Sequence, residues 1–106
     1  MNFVRLEYTT GDRSLRVDFV FMDCGPAIGW RVYIISSVDY RGRSSAAYAT
    51  HRSHDAGETY DYICWRGRIS TLQQAKAIAS LWADTISIYV RSNESFDTIA
   101  SRLKNK

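Results

Sequence analysis

At 106 residues, with 45% hydrophobic and 24% charged residues, the chain has the composition of one folded domain, with room for one core and none for a second. No apolar run approaches a membrane span, and Met1 to Arg5 carries no apolar signal-like core. The two cysteines, Cys24 and Cys64, lack paired spacing. Secretion, membrane insertion and a disulfide scaffold are therefore not expected, and a cytoplasmic setting is. The net charge of +3 hides an asymmetry: eleven of the fourteen basic residues are Arg, whose planar fork suits phosphate and carboxylate. Eleven interspersed acids argue against a uniformly positive face.

In chain order, Val4, Leu6 and Tyr8 alternate with Arg5, Glu7 and Thr9, the period-2 pattern of a half-buried strand. Thr10-Gly11-Asp12-Arg13 turns it, and Leu15, Val17, Phe19 and Phe21 form the next inward row, so residues 3 to 22 read as a β-hairpin. Cys24-Gly25-Pro26-Ala27-Ile28-Gly29 holds the only proline and reads as a loop. A third strand is expected from Trp30 to Tyr40, apolar on parts of both faces through Tyr33 and Ile35, which suits a central strand or a face that meets a partner. Arg41-Gly42-Arg43-Ser44 then turns into an expected fourth strand of small residues, Ser45 to Thr50. A polar, exposed loop from His51 to Glu58 follows, and the fifth strand is expected over Tyr60 to Trp65.

From Leu72 onward apolar residues recur at 72, 75, 78, 79, 82, 86, 89 and 90, one stripe along a helix of about six turns. Its start is signalled twice, by Ser70 with Gln73 and by Thr71 with Gln74, each a hydroxyl cap followed three residues on by a glutamine. Trp82 falls on the inward stripe as the main plug between helix and sheet, with Leu81 and Ile88 left for a second helix or a dimer mate. A short final helix places Phe96, Ile99, Ala100 and Leu103 on one side. The predicted fold is α+β: about five strands in an antiparallel meander, one face packed on the long C-terminal helix, plus the short last helix.

One internal echo bears on function. Tyr40-Arg41-Gly42-Arg43 and Trp65-Arg66-Gly67-Arg68 repeat an aromatic-Arg-Gly-Arg cassette, each after a strand. In a meander the third and fifth strands run the same way, so Tyr40, Arg41, Arg43, Trp65, Arg66 and Arg68 would converge at one end of the sheet. Together they would make a partner-binding patch for anionic groups and stacking rings. The alternative is two glycine turns flanked by solvated arginines.

Catalytic signals are sparse. His51 and His54 with Asp55 and Glu58 lack helical metal-binding spacing and read as solvated loop residues. Cys64, between Ile63 and Trp65, reads as a buried thiol, and Asp39, Asp61 and Asp84 as isolated carboxylates. No glycine-rich phosphate loop occurs. No catalytic residue, metal or cofactor is assigned. Two readings follow: a non-enzymatic interaction protein that docks on a protein or nucleoprotein through an Arg and aromatic surface, with a nucleic-acid-binding module using that same surface as its variant, or a small enzyme or nucleic-acid-processing module built around His51, His54 and a carboxylate. A homodimer is a further candidate assembly.

In length and architecture the chain resembles the accessory proteins of bacteriophages and mobile elements, including the anti-CRISPR proteins, with no motif matched. The resemblance implies a cofactor-free inhibitor of a bacterial defence nuclease complex. Many anti-CRISPR proteins are acidic DNA mimics; in this basic chain the implied mechanism is steric or allosteric docking, or competition through an Arg surface.

Overall fold

The period-2 segments and the period-3.6 segment become sheet and helix where they carry an uninterrupted apolar row. The computed structural model describes residues 3–105; Met1, Asn2 and Lys106 lie outside them. In order come β1 (Phe3–Thr9), β2 (Arg16–Asp23), β3 (Trp30–Ile34), a 3-10 turn (Tyr48–Thr50), β4 (Arg52–Ser53), β5 (Tyr62–Ile63), α1 (Leu72–Tyr89) and α2 (Phe96–Lys104). The strands form one five-stranded antiparallel sheet. Helix α1 covers its inner face against β2 and β3, and α2 packs on α1. This is the α+β architecture expected from the sequence.

Register follows the hydrophobic rows. Leu6 pairs with Phe19 and Tyr8 with Val17, while Phe19 pairs with Ile34 and Phe21 with Val32, so these side chains share the inner face. Val17, Phe19, Phe21, Val32 and Ile34 are buried there against Ile78, Trp82 and Ile86 of α1. Between β2 and β3, Gly29 has φ +82°, and a Cβ on it would lie 2.3 Å from the Ile69 carbonyl oxygen. That close approach lets Trp30 donate its N–H to the same oxygen at 2.8 Å, and only glycine permits it.

Three expectations are corrected. The third strand stops at Ile34 instead of Tyr40, and residues 45 to 50 form no strand: they end in the 3-10 turn, with Tyr48 pointing to solvent. Small side chains with no alternating apolar row bury too little to hold a ladder. The sheet order is β1-β2-β3-β5-β4, not a meander; the fifth strand, whose Ile63 is buried, takes the place beside β3. At the start of α1 the cap is Thr71, whose side chain accepts from Gln74 N–H, while the Gln74 side-chain oxygen accepts from Ser70 N–H. Of the two overlapping cap signals the second is the one used, one residue offset from the reciprocal box.

The β1–β2 turn is tied to α1 by two aspartates. Asp84 accepts the Tyr8 hydroxyl and the Gly11 N–H. Asp12 accepts from Thr10, Ser14 and Ser87 and pairs with Arg91 at 2.7 Å. Burial pushes the Asp12 carboxyl up, but the hydrogen bonds from Ser14, Thr10 and Ser87 outweigh it and hold the group well below the usual carboxylate range. Trp82, 2% exposed, donates its indole N–H to the Thr50 carbonyl at 2.8 Å.

Two stability tests follow. Trp82→Ala is expected to destabilise the domain by about 3 to 5 kcal/mol. Trp82→Phe, which keeps most of the packing but orphans the Thr50 carbonyl, should cost about 1 to 3 kcal/mol by denaturant titration. Asp12→Asn should cost about 1 to 2 kcal/mol at neutral pH. Because the native carboxyl is depressed, its stabilisation is complete above the unfolded value near 4 and is lost as pH falls through the native value. The gap in melting temperature between wild type and Asp12→Asn should therefore narrow progressively below about pH 4.

Candidate functional site

The repeated cassettes do not converge. β3 and β5 are antiparallel neighbours, with Tyr33 opposite Tyr62, so the chain leaves them at opposite ends of the sheet. Arg43 lies over the Tyr89 ring, 3.9 Å from its centre, and donates to the carbonyl oxygens of Tyr89 and Glu94; it closes the C-terminus of α1, where carbonyls lack helical partners. Arg68 donates to the Pro26 carbonyl and to Ser70 Oγ, holding the other end. The cassettes thus serve the two ends of an 18-residue helix, about 27 Å long. Tyr40 is half-buried, with the Arg52 guanidinium 5.5 Å from its ring centre. Trp65 sits at the surface under Lys104. Arg41 and Arg66 are exposed and remote from each other's cassette.

The structure instead brings together two regions distant in sequence, the outer face of β3 and the segment from Asp55 to Asp61. Arg31 and Tyr33 point outward on β3 and Tyr62 does so on β5. Over them the loop folds back: Asp55 pairs with Arg31 at 2.7 Å and accepts from Tyr62, and Glu58 accepts from Tyr33. The guanidinium of Arg31 stacks 4.3 Å from the Tyr62 ring centre, and Tyr33 meets Tyr62 edge-on. Hydrogen bonds from Arg31 and Tyr62 hold Asp55 below the ordinary carboxylate range. Burial, together with Asp55, raises Tyr62 above its usual value. Both groups therefore keep the protonation states that the network needs at neutral pH.

This network props up a ridge between two open grooves. One, of about 430 Å³, has Val20, Met22, Tyr33 and Ile35 as its floor and Glu58 to Tyr60 as its wall. The other, of about 500 Å³, lies between Ile34 to Val38, Tyr40, Arg52 and the same Thr59 and Tyr60. Tyr60, 43% exposed, stands on the crest. Arg52 stiffens the second groove from beneath by donating to Thr50 Oγ1, Asp61 and the Ser45 carbonyl. Tyr33 and Ile35 already mark an apolar outer face in the sequence. The further signal is the matched alternation of Arg31 and Tyr33 with Tyr60 and Tyr62 on either side of the acidic Asp55 and Glu58.

The histidines part company. His51 is not a solvated loop residue: it stacks on Phe96 at 4.6 Å and its Nε2 lies 2.7 Å from Asp97. His54 lies on the other side of Arg52, with Nδ1 2.9 Å from Asp61. They share no site, and among the described residues no three His, Cys, Asp or Glu side chains form a metal-binding group. Cys64 is exposed, not buried as expected, because β5 ends at Ile63 and the chain turns outward. It borders a cavity of about 80 Å³ together with His51 and Asp97. That space holds a few water molecules and no organic substrate, and no hydrogen bond joins the thiol to the imidazole.

The assignment of the arginines is testable. Arg43→Ala should lower stability by about 1.5 to 3 kcal/mol, the range for a charged donor removed from two carbonyls. Arg41→Ala, in the same turn, should stay within about 0.5 kcal/mol of wild type in the same chemical melts.

None of the described helices is long and apolar enough to cross a membrane. Compared with protein-family models, curated proteins and solved structures, the chain has no significant match.

Proposed function

We propose that the chain is a non-enzymatic interaction protein that docks on a protein or nucleoprotein partner in the cytoplasm, as an inhibitor of a bacterial defence nuclease complex of the kind its anti-CRISPR-like format implies. The observation that carries the docking surface is the Tyr60 ridge: an exposed aromatic on a loop pinned by four hydrogen-bonding contacts to carboxylates. A groove lies on either side of it. Tyrosine anchors seated beside pockets dominate interface energetics, and a loop already rigid loses little entropy on binding.

The arginines favour protein over nucleic acid as the main contact. Arg5, Arg16, Arg31, Arg52, Arg91 and Arg102 are ion-paired, and Arg43 and Arg68 hold backbone carbonyls. Among the described residues Arg13, Arg41 and Arg66 remain exposed and in three separate turns. A phosphate track needs a contiguous row of available cations.

The test is capture from nuclease-treated bacterial lysate with wild type and Tyr60→Ala as baits, followed by a cleavage assay on the guide-loaded nuclease complex recovered. Wild type should retain a protein partner and suppress cleavage. Tyr60→Ala should bind more than tenfold more weakly, about 1.4 kcal/mol or more, with stability within about 0.5 kcal/mol of wild type. Capture that disappears on nuclease treatment would replace this reading with the nucleic-acid-binding one, and a captured complex that still cleaves would end the inhibitor assignment.

A further inference from the structure

The first strand lies at the edge of the sheet, and its hydrogen-bonding parity can be read from the turn that follows it. Thr10 donates its N–H to the Leu15 carbonyl at 2.9 Å, which is the next rung of the ladder pairing Thr9 with Arg16 and Tyr8 with Val17. In an antiparallel ladder both peptide groups of a residue face the same neighbour, and successive residues alternate. Even-numbered residues of β1 therefore bond to β2, while Phe3, Arg5, Glu7 and Thr9 turn N–H and C=O toward the open edge. β1 has no proline or lysine, its register with β2 runs without a bulge from Phe3 to Thr9, and its two charged residues, Arg5 and Glu7, are of opposite sign.

We infer that this edge pairs with a second copy of the chain, β1 against β1 about a two-fold axis at Leu6, to make a continuous ten-stranded sheet. Only registers that bring outward-facing residues opposite one another satisfy the backbone. Centring on Leu6, the middle of the strand, pairs Phe3 with Thr9 and Arg5 with Glu7 of the mate over the whole strand, for roughly eight hydrogen bonds. A shift to either neighbouring admissible register places Arg5 opposite Arg5 or Glu7 opposite Glu7 and shortens the ladder; like charges directly opposite are destabilising.

Charge complementarity extends beyond the central pair. Within each chain Glu7 lies 3.5 Å from Arg16, and Arg5 lies 2.9 Å from Asp18. On the outer face the paired sheets then link Arg16, Glu7, Arg5 of the mate and Asp18 of the mate in a diagonal chain of alternating sign across four strands, while Glu7 stands directly opposite Asp18 of its own chain. On the inner face the same register sets Leu6 beside Leu6 of the mate. Leu6 is 40% exposed in the single chain although it belongs to the core-facing row, and the mate covers it.

Sedimentation velocity over a concentration series tests this. Wild type is expected to associate to twice its 12.1 kDa mass. Arg5→Glu and Glu7→Arg should each weaken self-association more than tenfold, because each puts like charges opposite one another at both symmetric positions. An equimolar mixture of the two variants should regain it, since every cross pair is then of opposite sign. As a check that needs no variant, hydrogen exchange at the amides of Arg5, Glu7 and Thr9 in wild type should slow with rising concentration while those of the exposed 56 to 60 segment do not. A wild type that stays monomeric, a dimer that survives either single variant, a mixture that stays monomeric, or edge amides whose exchange ignores concentration would each overturn the proposal.

Discussion

The hydrogen bond from the Trp82 indole to the Thr50 carbonyl joins three parts of the molecule, the helix, the sheet and the irregular stretch before β4. The ring packs edge-on against Phe19 of β2, 6.2 Å between centres, so the helix is seated on the sheet. A buried indole N–H needs an acceptor, and the acceptor comes from the irregular stretch before β4. That stretch closes on itself around the same residue. Thr50 is fully buried; its N–H bonds to the carbonyls of Ala46 and Ala47, and its hydroxyl donates to Ala46 and accepts from Arg52. Residues 35 to 49 contribute no fully buried side chain. They are held by a polar knot placed where the helix offers a donor, and β4 and β5 are positioned by what the knot holds.

The arginine excess then has a structural explanation. Arg43, Arg52 and Arg68 each bind two or more acceptors at the end of an irregular segment: the C-terminus of α1, the turn before β4, and the start of α1. A rigid fork serves several acceptors at fixed angles, which a lysine ammonium on a flexible stem does poorly. A chain whose longest strand outside the first hairpin is five residues has many carbonyls outside ladders. Buried ones must be paired, and arginine pairs them in twos and threes. Basicity of this origin carries little information about nucleic acid.

What was legible in the sequence, and what was not, divides along the same line. The hairpin, the Trp82 stripe, the α1 cap and the final helix all depend on patterns within a few residues, and these fix local structure whatever the rest of the chain does. The strands after Ile34 depend on distant partners. Tyr62 and Ile63 pair with β3 because the loop carboxylates find Arg31 and Tyr33, a choice made across more than twenty residues. The two cassettes show the limit plainly. Two nearly identical local words, each bending the chain at a positive-φ glycine, come to opposite ends of α1 because strand order, set by long-range pairing, decides where a turn emerges. The Tyr60 ridge is hidden for the same reason: its floor and its wall belong to segments that periodicity treats separately.

The two surfaces sit at opposite sides of the sheet, and this has a geometric consequence for how they work together. β1 is one edge, whereas the ridge rises over β3 and β5 toward the other. In the two-fold pair, Arg5 and Glu7 of the mate point to the same side, so the outer faces of both sheets are continuous and both Tyr60 crests face one direction. From β3 to its symmetry mate is five strand spacings, about 24 Å at 4.8 Å each. In the proposed pair, a two-headed surface of that span would engage a repeated or two-fold target with both heads at once. The second contact would then be intramolecular, and modest affinity at each ridge would combine to far stronger retention without any new contact. A dimer built on an edge strand leaves the proposed docking face open and doubles it, which pairing through the outer face itself would not.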